Sequence, residues 1–593
     1  MTSLVIEKKE LNLKKLKYRV GGSGWADLGE GKELNVGVGD EIVFDLSSGG
    51  HWYGHGFSHE QPYPLETGKI DNPSFAVNNI QSPIWLCSAG FAIFADTCGK
   101  LKVSINKDSD GMLRITPVEN PAAIRIFHGT SLPDAWGKLA ANIGWPNIPP
   151  AREFFGDSIF CTWTQYPRAI TQERILDMAR QIRRQGYPCS TITIDDRWES
   201  CFGELCFSDK FPDPRRMIEE LHSLGFKILL WITPFVNTEA RNHKELADAK
   251  LLVPNKDGKG AALMKWWGGT AGLVDLTNPA ARSWFKSQLI RLKNEIGVDG
   301  FKIDGGDAKY QPDLQISSWH DYRGASGYLD ELLSLFEEVA PNCCESRTAW
   351  LSQGRQIIWR QGGKDSHWGL NNGLKAVVSL AMHMSLMGYD ILMPDMIPGR
   401  VQTLESNMPL PTDELMVRWT EVSAFMPIMQ FSYFPWNYCP ETASIACAYS
   451  RMHKLLGNYL ADSVVSRKAP LIRPLWFDYP DVEEYYGLSD QYMLGKDLIV
   501  APILDTDVHS RNIMLPPGKW REIRTGELFN GPLTIRDFPV KCPGMPVFIG
   551  EHNSELFDFL HKEFSGLEGI TVKPGMTTSK YLCGLDRDLS VTG

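Results

Sequence analysis

Between roughly residues 155 and 465, short apolar stretches alternate with longer amphipathic ones, and this alternation constrains the fold more than any other feature. The stretches Ser158–Trp163, Ser190–Ile194, Phe226–Ile232 and Gly300–Ile303 are typical of buried strands, and helical spacing follows each of them. Strands that alternate with helices of about 10–15 residues predict a parallel sheet. We therefore predict an α/β fold in which this region forms a (β/α)8 TIM barrel with insertions.

The regions on either side of the predicted barrel have a different pattern. Residues 1 to about 145 and those after about 470 contain short alternating runs separated by Gly, Asn, Asp and Pro, which is typical of antiparallel sheets. We therefore predict an N-terminal β-sandwich at 1–147, the barrel at 148–467 and C-terminal β-sandwich modules at 468–593.

Charge and composition exclude several classes of partner. The 61 Lys and Arg residues are scattered among 71 Asp and Glu residues, so the net charge is −10, and no basic patch suggests nucleic acid or an anionic membrane. The first residues lack the apolar region of a signal peptide, and no apolar stretch is long enough to cross a bilayer. The 12 Cys residues do not form the pattern of a small disulfide-rich domain. We therefore expect a cytoplasmic protein.

The chain carries no fingerprint of a bound cofactor. Neither a P-loop nor a dinucleotide-binding glycine motif occurs, and no cluster of residues has convincing metal-ligand spacing. We expect neither a cofactor nor a metal.

Candidate functional residues lie at the carboxyl ends of the predicted strands, because sites in (β/α)8 barrels form there. Asp304 ends one strand, and the two glycines after it allow a ligand to approach closely. Another candidate, Asp365, lies in a polar loop before an apolar helix. The segments considered are Asp195–Glu199, Thr233–Phe235, Asp304–Asp307 and Gly362–Trp368.

Two carboxylates at strand ends, in a chain with 19 Trp residues, are the minimum for glycoside hydrolysis. A retaining glycosidase needs an ionised nucleophile and a protonated general acid about 5–5.5 Å apart. Taken singly, Asp365 could instead cap the helix that follows it, and Asp304 could be an ordinary turn residue. Spacing alone does not select these two from the 71 acidic residues.

Seven motifs, in order along roughly residues 50–550, together resemble glycoside hydrolase family 31. They are His51–Gly54 with Gln61–Leu65, Ile194–Trp198, Phe211–Pro214 with Leu221–Phe226, Asp299–Asp304, Ser346–Arg347, Lys364–Trp368, and Asp490–Gly495 with Val500–Pro502.

The resemblance implies a retaining α-glycosidase and assigns roles to individual residues. Asp304 matches the nucleophile, and Asp365 matches the general acid/base. Arg347 matches an arginine that binds sugar hydroxyls, and Trp267 matches an aromatic wall of the pocket. Asp196 matches an acidic residue beside the pocket, and we add Trp198 as a residue that lines a subsite.

Departures from the typical α-glucosidases of the family indicate a different sugar. Lys302 stands where those enzymes have Trp, two residues before the nucleophile, and the first carboxylate of their Asp-apolar-Asp motif is displaced to Asp195. Thr233 and Ser432 replace an Asp and a His of their pocket. These changes resemble the branch that contains the myogenesis-regulating glycosidase and imply α-galactosidase activity, with Lys302 and Asp195 binding the axial 4-hydroxyl.

Other functions stay open at this point. The chain could hydrolyse an α-glucoside, an α-xyloside or a sulfonated sugar, or transfer the glycosyl unit to an alcohol. It could also be an inactive sugar-binding or scaffold protein, because a fold does not imply a function. A carbohydrate is the expected ligand in each of the enzymatic readings, and the resemblance allows a homo-oligomer.

Overall fold

The computed structural model describes residues 2–3, 16–27, 33–56, 61–73, 81–144, 150–167, 169–255, 259–311, 323–401, 410–466 and 468–578. The predicted domain boundary at 147/148 falls outside these residues, as does residue 467 at the second boundary. Strand β1 (Thr2–Ser3) pairs with a strand of the C-terminal sheet, so the start of the chain does not belong to the N-terminal sheets.

The N-terminal region forms two antiparallel sheets, as predicted. One sheet has six strands and the other five, and apolar residues of both belong to a common buried core. Burial alternates along β11 and β12, which are defined below, as expected where one sheet face is covered. The elements are β2 Lys17–Val20, β3 Ala26–Asp27, β4 Glu33–Val36, β5 Ile42–Asp45, α1 Leu46–Gly49, β6 Trp52–Gly56, β7 Ile70–Pro73, β8 Gln81–Cys87, β9 Phe91–Asp96, β10 Leu101–Ile105, β11 Met112–Pro117, β12 Ala122–His128 and α2 Leu132–Ile143.

The central region is an eight-stranded parallel barrel, which confirms the predicted fold. Its strands lie side by side in chain order, and a bridge between Ile397 and Phe431 joins the last pair at the seam. The strands are β13 Ser158–Cys161, β14 Cys189–Ile194, β15 Lys227–Ile232, β19 Gly300–Ile303, β20 Cys344–Ser346, β21 Ile358–Arg360, β22 Leu392–Met393 and β23 Gln430–Phe431.

Seven longer helices accompany the barrel strands, and their ends follow from local sequence. Thr171 caps the helix Gln172–Gln185 by accepting a hydrogen bond from the Arg174 N–H, and Gly186 ends it in the left-handed conformation. Residues 347–357, all of them described, contain no helix, so β20 and β21 are joined directly. The helices are α3 Gln172–Gln185, α4 Pro214–Ser223, α6 Pro279–Arg291, α7 Ala325–Val339, α8 Leu374–Leu386, α9 Asp413–Ala424 and α10 Pro440–Ser466.

An insertion after β15 contributes to the carboxyl-end face of the barrel. It forms a three-stranded antiparallel sheet in which the middle strand pairs with both others. Its elements are β16 Phe235–Asn237, α5 His243–Asp248, β17 Leu263–Trp266 and β18 Gly269–Leu273.

In the C-terminal region, where the sequence predicted sandwich modules, the described residues 468–578 supply six strands of one antiparallel sheet, and β1 adds a seventh at its edge. The helix α12, defined below, packs between β29 of this sheet and α10. The elements are β24 Ile472–Arg473, α11 Leu475–Asp478, β25 Tyr492–Leu494, β26 Leu498–Val500, β27 Ser510–Glu522, β28 Leu528–Pro539, β29 Val547–Gly550 and α12 Ser554–Ser565.

No helix of the described segments has the length and apolar character needed to cross a membrane.

Candidate active site

Asp304 lies directly after β19, at the carboxyl-end face of the barrel, and its carboxylate is held from three directions. Trp231 Nε1 donates to Oδ2 at 3.0 Å, and the Gly305 N–H donates to Oδ1 at 2.9 Å. Arg347 Nε also donates to Oδ1, at 2.5 Å. The residue is only 7% exposed, so its orientation is fixed by these donors. A carboxylate that one charged and two neutral donors hold in this way is suited to act as a nucleophile.

Arg347 connects Asp304 to an aromatic wall. The guanidinium carbon lies 4.8 Å from the centre of the Trp267 ring, and that ring meets Tyr310 edge to face at 5.2 Å. Trp267 follows β17 in the insertion and is 41% exposed. The structure therefore brings Asp304, Arg347 and Trp267 together, with one open aromatic face beside a carboxylate.

Lys302 and Asp195 form a buried ion pair inside the barrel. Lys302 Nζ lies 2.7 Å from Asp195 Oδ2 and 3.4 Å from Glu345 Oε1. Burial and nearby Arg360 both oppose a charge on Lys302, but the carboxylates of Asp195 and Glu345 raise its pKa above the usual value. Burial alone would raise the pKa of Asp195, but the Lys302 ammonium lowers it. Asp304 follows Lys302 by two residues at the end of β19, and residues two apart along an extended chain project to the same side.

The charged interior continues beyond this pair. Arg360 Nε lies 3.4 Å from Glu345 Oε1, and Arg360 Nη1 donates to Asp395 Oδ1 at 2.8 Å. Small barrels of this type are usually filled by branched apolar side chains. Here Lys302, Glu345 and Arg360 on three consecutive strands replace part of that filling with alternating charges.

Two further carboxyl groups near Asp304 favour the protonated form. Burial raises the pKa of Asp196 to about 7, with Asp195 and Asp304 adding to the effect and Arg197 opposing it. Burial likewise raises the pKa of Asp307 to about 7, against the attraction of Arg347. Asp196 Oδ1 and Asp307 Oδ2 are buried and have no hydrogen-bond partner. Buried polar atoms of this kind need a partner, and sugar hydroxyls could supply it.

Asp365 lies after β21, and β20 separates that strand from β19. Neighbouring strands are about 4.8 Å apart, so the axes of these two strands are about 10 Å apart, and side chains that point inward can come closer. The side chain of Asp365 is 19% exposed. It does not cap α8, because the N-cap of that helix is Gly373.

Asp365 is held on two sides. Asn372 Nδ2 donates to Oδ2 at 3.1 Å, and the main-chain N–H of Asp365 donates to the Asn372 carbonyl at 3.0 Å. Arg400 Nε donates to Oδ1 at 2.9 Å, and Arg400 Nη2 contacts the same oxygen. Beneath the loop, burial lowers the pKa of Lys364 to about 7, and its Nζ donates to Asn372 Oδ1 at 3.3 Å.

The prediction that Trp198 lines a subsite is wrong for this conformation. Its side chain is completely buried, packs on Phe207 with ring centres 4.7 Å apart, and donates through Nε1 to the Trp231 carbonyl at 2.8 Å. Trp198 therefore supports Trp231, the residue that holds Asp304, and has no surface for a sugar.

Sequence reasoning missed four residues of the site. Trp231 lies within an apolar strand, so its indole was indistinguishable from core. Arg400 and Asn372 lie 35 and 7 residues from their partner Asp365, and no motif names them. Asp307 was visible in the Asp304–Asp307 segment, where a second acid three residues after the first was the available signal.

Metal chemistry has no evident ligand set in the part of the chain described. No group of three or more His, Cys, Asp or Glu side chains is arranged there to hold an ion.

Family comparisons cover most of the chain. Residues 148–462 match the family described as "Glycosyl hydrolases family 31 TIM-barrel domain", and residues 468–553 match "Glycosyl hydrolase family 31 C-terminal domain". Residues 35–137 match "Myogenesis-regulating glycosidase N-terminal domain".

Individual relatives are similar over comparable lengths. The myogenesis-regulating glycosidase of Mus musculus is 30% identical over 544 residues, which cover 86% of this chain and 76% of the relative. The SITS-binding protein of Tetronarce californica is 30% identical over 542 residues, covering 84% of this chain and 74% of the relative. A solved α-xylosidase of this family from a soil metagenome, complexed with xylose, superposes with a TM-score of 0.74 at 22% identity, covering 90% of this chain and 83% of the other.

Proposed function

The chain belongs to glycoside hydrolase family 31, and from this premise we propose that it is a retaining α-glycosidase that removes a terminal α-linked galactose. The observation that carries the proposal is the arrangement of Asp304 and Asp365. Both lie at the carboxyl-end face of the barrel, on strands separated by one other, and each is oriented by its own set of donors. A double displacement uses two such carboxyl groups about 5–5.5 Å apart, one on each side of the scissile bond.

In the first step, Asp304 attacks the anomeric carbon while Asp365 gives its proton to the glycosidic oxygen. Arg347, Trp231 and the Gly305 N–H hold the Asp304 carboxylate in one orientation before the attack. A glycosyl–enzyme ester forms as the leaving alcohol departs.

In the second step, Asp365 takes a proton from water, and the water oxygen attacks the anomeric carbon. The ester to Asp304 breaks, and the sugar leaves with its original anomeric configuration. No cofactor takes part in either step.

Galactose is proposed because of the buried charged groups that lie beside Asp304. Lys302, two residues before the nucleophile, and Asp195, which follows β14 on the far side of β15, form a buried donor–acceptor pair. An axial 4-hydroxyl lies in a different place from an equatorial one, so its recognition requires donors and acceptors in different positions. Asp196 offers a further unpartnered oxygen.

A panel of aryl α-glycosides tests both the glycosidase activity and the preference for galactose. We expect hydrolysis of the α-galactoside in preference to the α-glucoside, the α-xyloside and the sulfoquinovoside, with an α-configured product as the first one formed. Asp304→Asn should abolish turnover without lowering thermal stability. Turnover of a different sugar would overturn only the galactose assignment, and residual activity above a few percent in Asp304→Asn would overturn the nucleophile.

A second candidate function is ligand binding without catalysis. It is favoured by one observation: a relative with the same identity over the same part of the chain bears the name of a binding protein. The same panel separates the two, because a binding protein would be protected against thermal unfolding by galactose but would release no aryl alcohol from any substrate.

A further inference from the structure

The carboxylate of Asp365 accepts hydrogen bonds from one buried and one exposed side chain. Asn372, which is 4% exposed, contacts Oδ2 from the interior. Arg400, whose side chain is 47% exposed, contacts Oδ1 from the outer side. A leaving group must bring its oxygen within about 2.6–3.2 Å of Asp365 to receive a proton. Of the two side chains that contact Asp365, Arg400 is the one exposed to an approaching leaving group.

The main chain, rather than the reach of a long side chain, sets the position of Arg400. Its N–H donates to the Lys364 carbonyl at 2.8 Å, and its carbonyl accepts from the Ser366 N–H at 3.3 Å. The hydroxyl of Ser366 donates to the Pro398 carbonyl at 2.8 Å. A Cβ at Gly399 would lie 3.0 Å from the Asp365 carbonyl carbon, so the two loops touch backbone to backbone. These contacts fix the main chain of Arg400 beside the loop that carries Asp365.

We propose that Arg400 is a leaving-group residue: it stabilises the negative charge on Asp365 during proton transfer and donates hydrogen bonds to a hydroxyl-rich leaving group, namely a second sugar. This inference rests on the proposed glycosidase function. An arginine has five N–H donors, more than one carboxylate oxygen can accept, so the same group can hold Asp365 and a sugar hydroxyl.

The proposed role belongs to the first half of the reaction. The O–H bond of Asp365 breaks, its proton passes to the glycosidic oxygen, and the electron pair of the C–O bond goes to that oxygen as Asp304 bonds to the anomeric carbon. Asp365 is left as a carboxylate beside a fixed cation. A charge that is stabilised where it develops lowers the barrier of that step.

Leaving-group dependence tests the proposal, because an activated aryl alcohol needs no proton and a sugar does. We expect Arg400→Met to lower kcat/KM by about 10–100-fold on a disaccharide and on aryl glycosides with poor leaving groups. On the dinitrophenyl glycoside of the same sugar we expect a loss below about threefold. The kcat/KM of Arg400→Lys on these substrates should lie between those of the wild type and Arg400→Met, because lysine keeps the charge but loses the fork of donors.

Lys375→Met is the matched control. Lys375 is similarly exposed and lies at the start of α8, but its ion pair is with Asp505 at 2.7 Å, so the variant removes a positive charge without touching Asp365. It should behave as the wild type on every substrate. Equal losses for Arg400→Met across the series, or none, would overturn the inference and leave the proposed function intact. If the wild type hydrolyses no α-glycoside at all, the proposed function fails, and the inference fails with it.

Discussion

Trp231 decides how the Asp304 carboxylate points, although it lies in a strand that looks like core. Replacing it by Phe removes the donor to Oδ2 and keeps most of the buried ring. A hydrogen bond to a charged group contributes about 1.5–3 kcal/mol, so we expect kcat to fall by about 10–100-fold in Trp231→Phe, with a smaller change in KM. Steady-state kinetics on the best aryl glycoside would measure this.

Trp198→Phe is the control for that change. It also removes a buried indole N–H, here the donor to the Trp231 carbonyl, but it does not touch Asp304. Because Trp198 acts on Asp304 only through Trp231, we expect Trp198→Phe to lower thermal stability about as much as Trp231→Phe does and to lower kcat less. Equal losses of kcat in the two variants would show that packing, and not the hydrogen bond, is what matters.

Asp307 should make the stability of the protein depend on pH. Burial raises its pKa to about 7 in the folded chain, whereas an unfolded Asp ionises near 4. The stability that it contributes is therefore fully present below about pH 4 and is lost as the pH rises to about 7. Asp307→Asn removes this loss, so the difference in Tm between variant and wild type should be more positive at pH 8 than at pH 5, equivalent to about 1–3 kcal/mol. The same difference at both pH values would contradict an unpaired charge at this position.

At the scale of single residues, the sequence identified site residues only where a motif or a strand end marked them. Asp195, Asp304 and Arg347 were found, and the structure places Asp304 and Arg347 in contact. Arg400 and Asn372 were not found, because their contacts with Asp365 depend on how separate loops pack. Trp198 was misread, because its burial is a tertiary property that spacing along the chain does not report.

At the scale of elements, Gly300 is required where β19 meets β20. A Cβ there would lie 1.7 Å from the Cys343 carbonyl oxygen, which accepts the Phe301 N–H at 3.1 Å. Alanine would force the two strands apart at the start of the strand that carries Asp304. We expect Gly300→Ala to cost more than about 2 kcal/mol and to lower both Tm and soluble yield.

Gly137→Ala is the matched control for this prediction. Gly137 lies within α2, and a Cβ there would meet no atom within 4 Å. Alanine is favoured over glycine in a helix by about 1 kcal/mol, so the Tm of this variant should be unchanged or slightly higher. A Gly300→Ala protein as stable as Gly137→Ala would mean that β19 and β20 do not pair with Phe301 opposite Cys344.

Elements with strong local patterns were predictable, and short ones were not. The strand β15 and the helix α3 follow from an apolar run and from an amphipathic stretch with a Thr cap and a Gly end. Strands β20 and β21 have three residues each and no helix between them, so nothing local marks them. Their pairing in the barrel is what defines them.

At the scale of the whole molecule, α8 joins the three regions. All its residues except Lys375 are buried. On the N-terminal side, the Gly54 N–H donates to His383 Nδ1 at 3.0 Å, and His383 Nε2 lies 3.1 Å from the Pro62 carbonyl. Burial lowers the pKa of His383 to about 3, so the ring is neutral and can accept at one nitrogen while it donates at the other. On the C-terminal side, the Ile472 N–H donates to Ser385 Oγ at 3.0 Å.

The barrel should therefore fail to fold well without the N-terminal sheets. Removing residues 1–144 strips the cover from a helix of Val, Leu, Ala and Met side chains and leaves the His383 nitrogens without their partners. We expect the remaining chain to aggregate on expression, and to become soluble and monodisperse when residues 1–144 are supplied as a separate polypeptide. Size-exclusion chromatography of the two preparations measures this. A soluble monomer with the Tm of the full chain would mean that α8 is stable without the N-terminal sheets packed on it. Those sheets would then not be part of the fold that holds Asp365 in place.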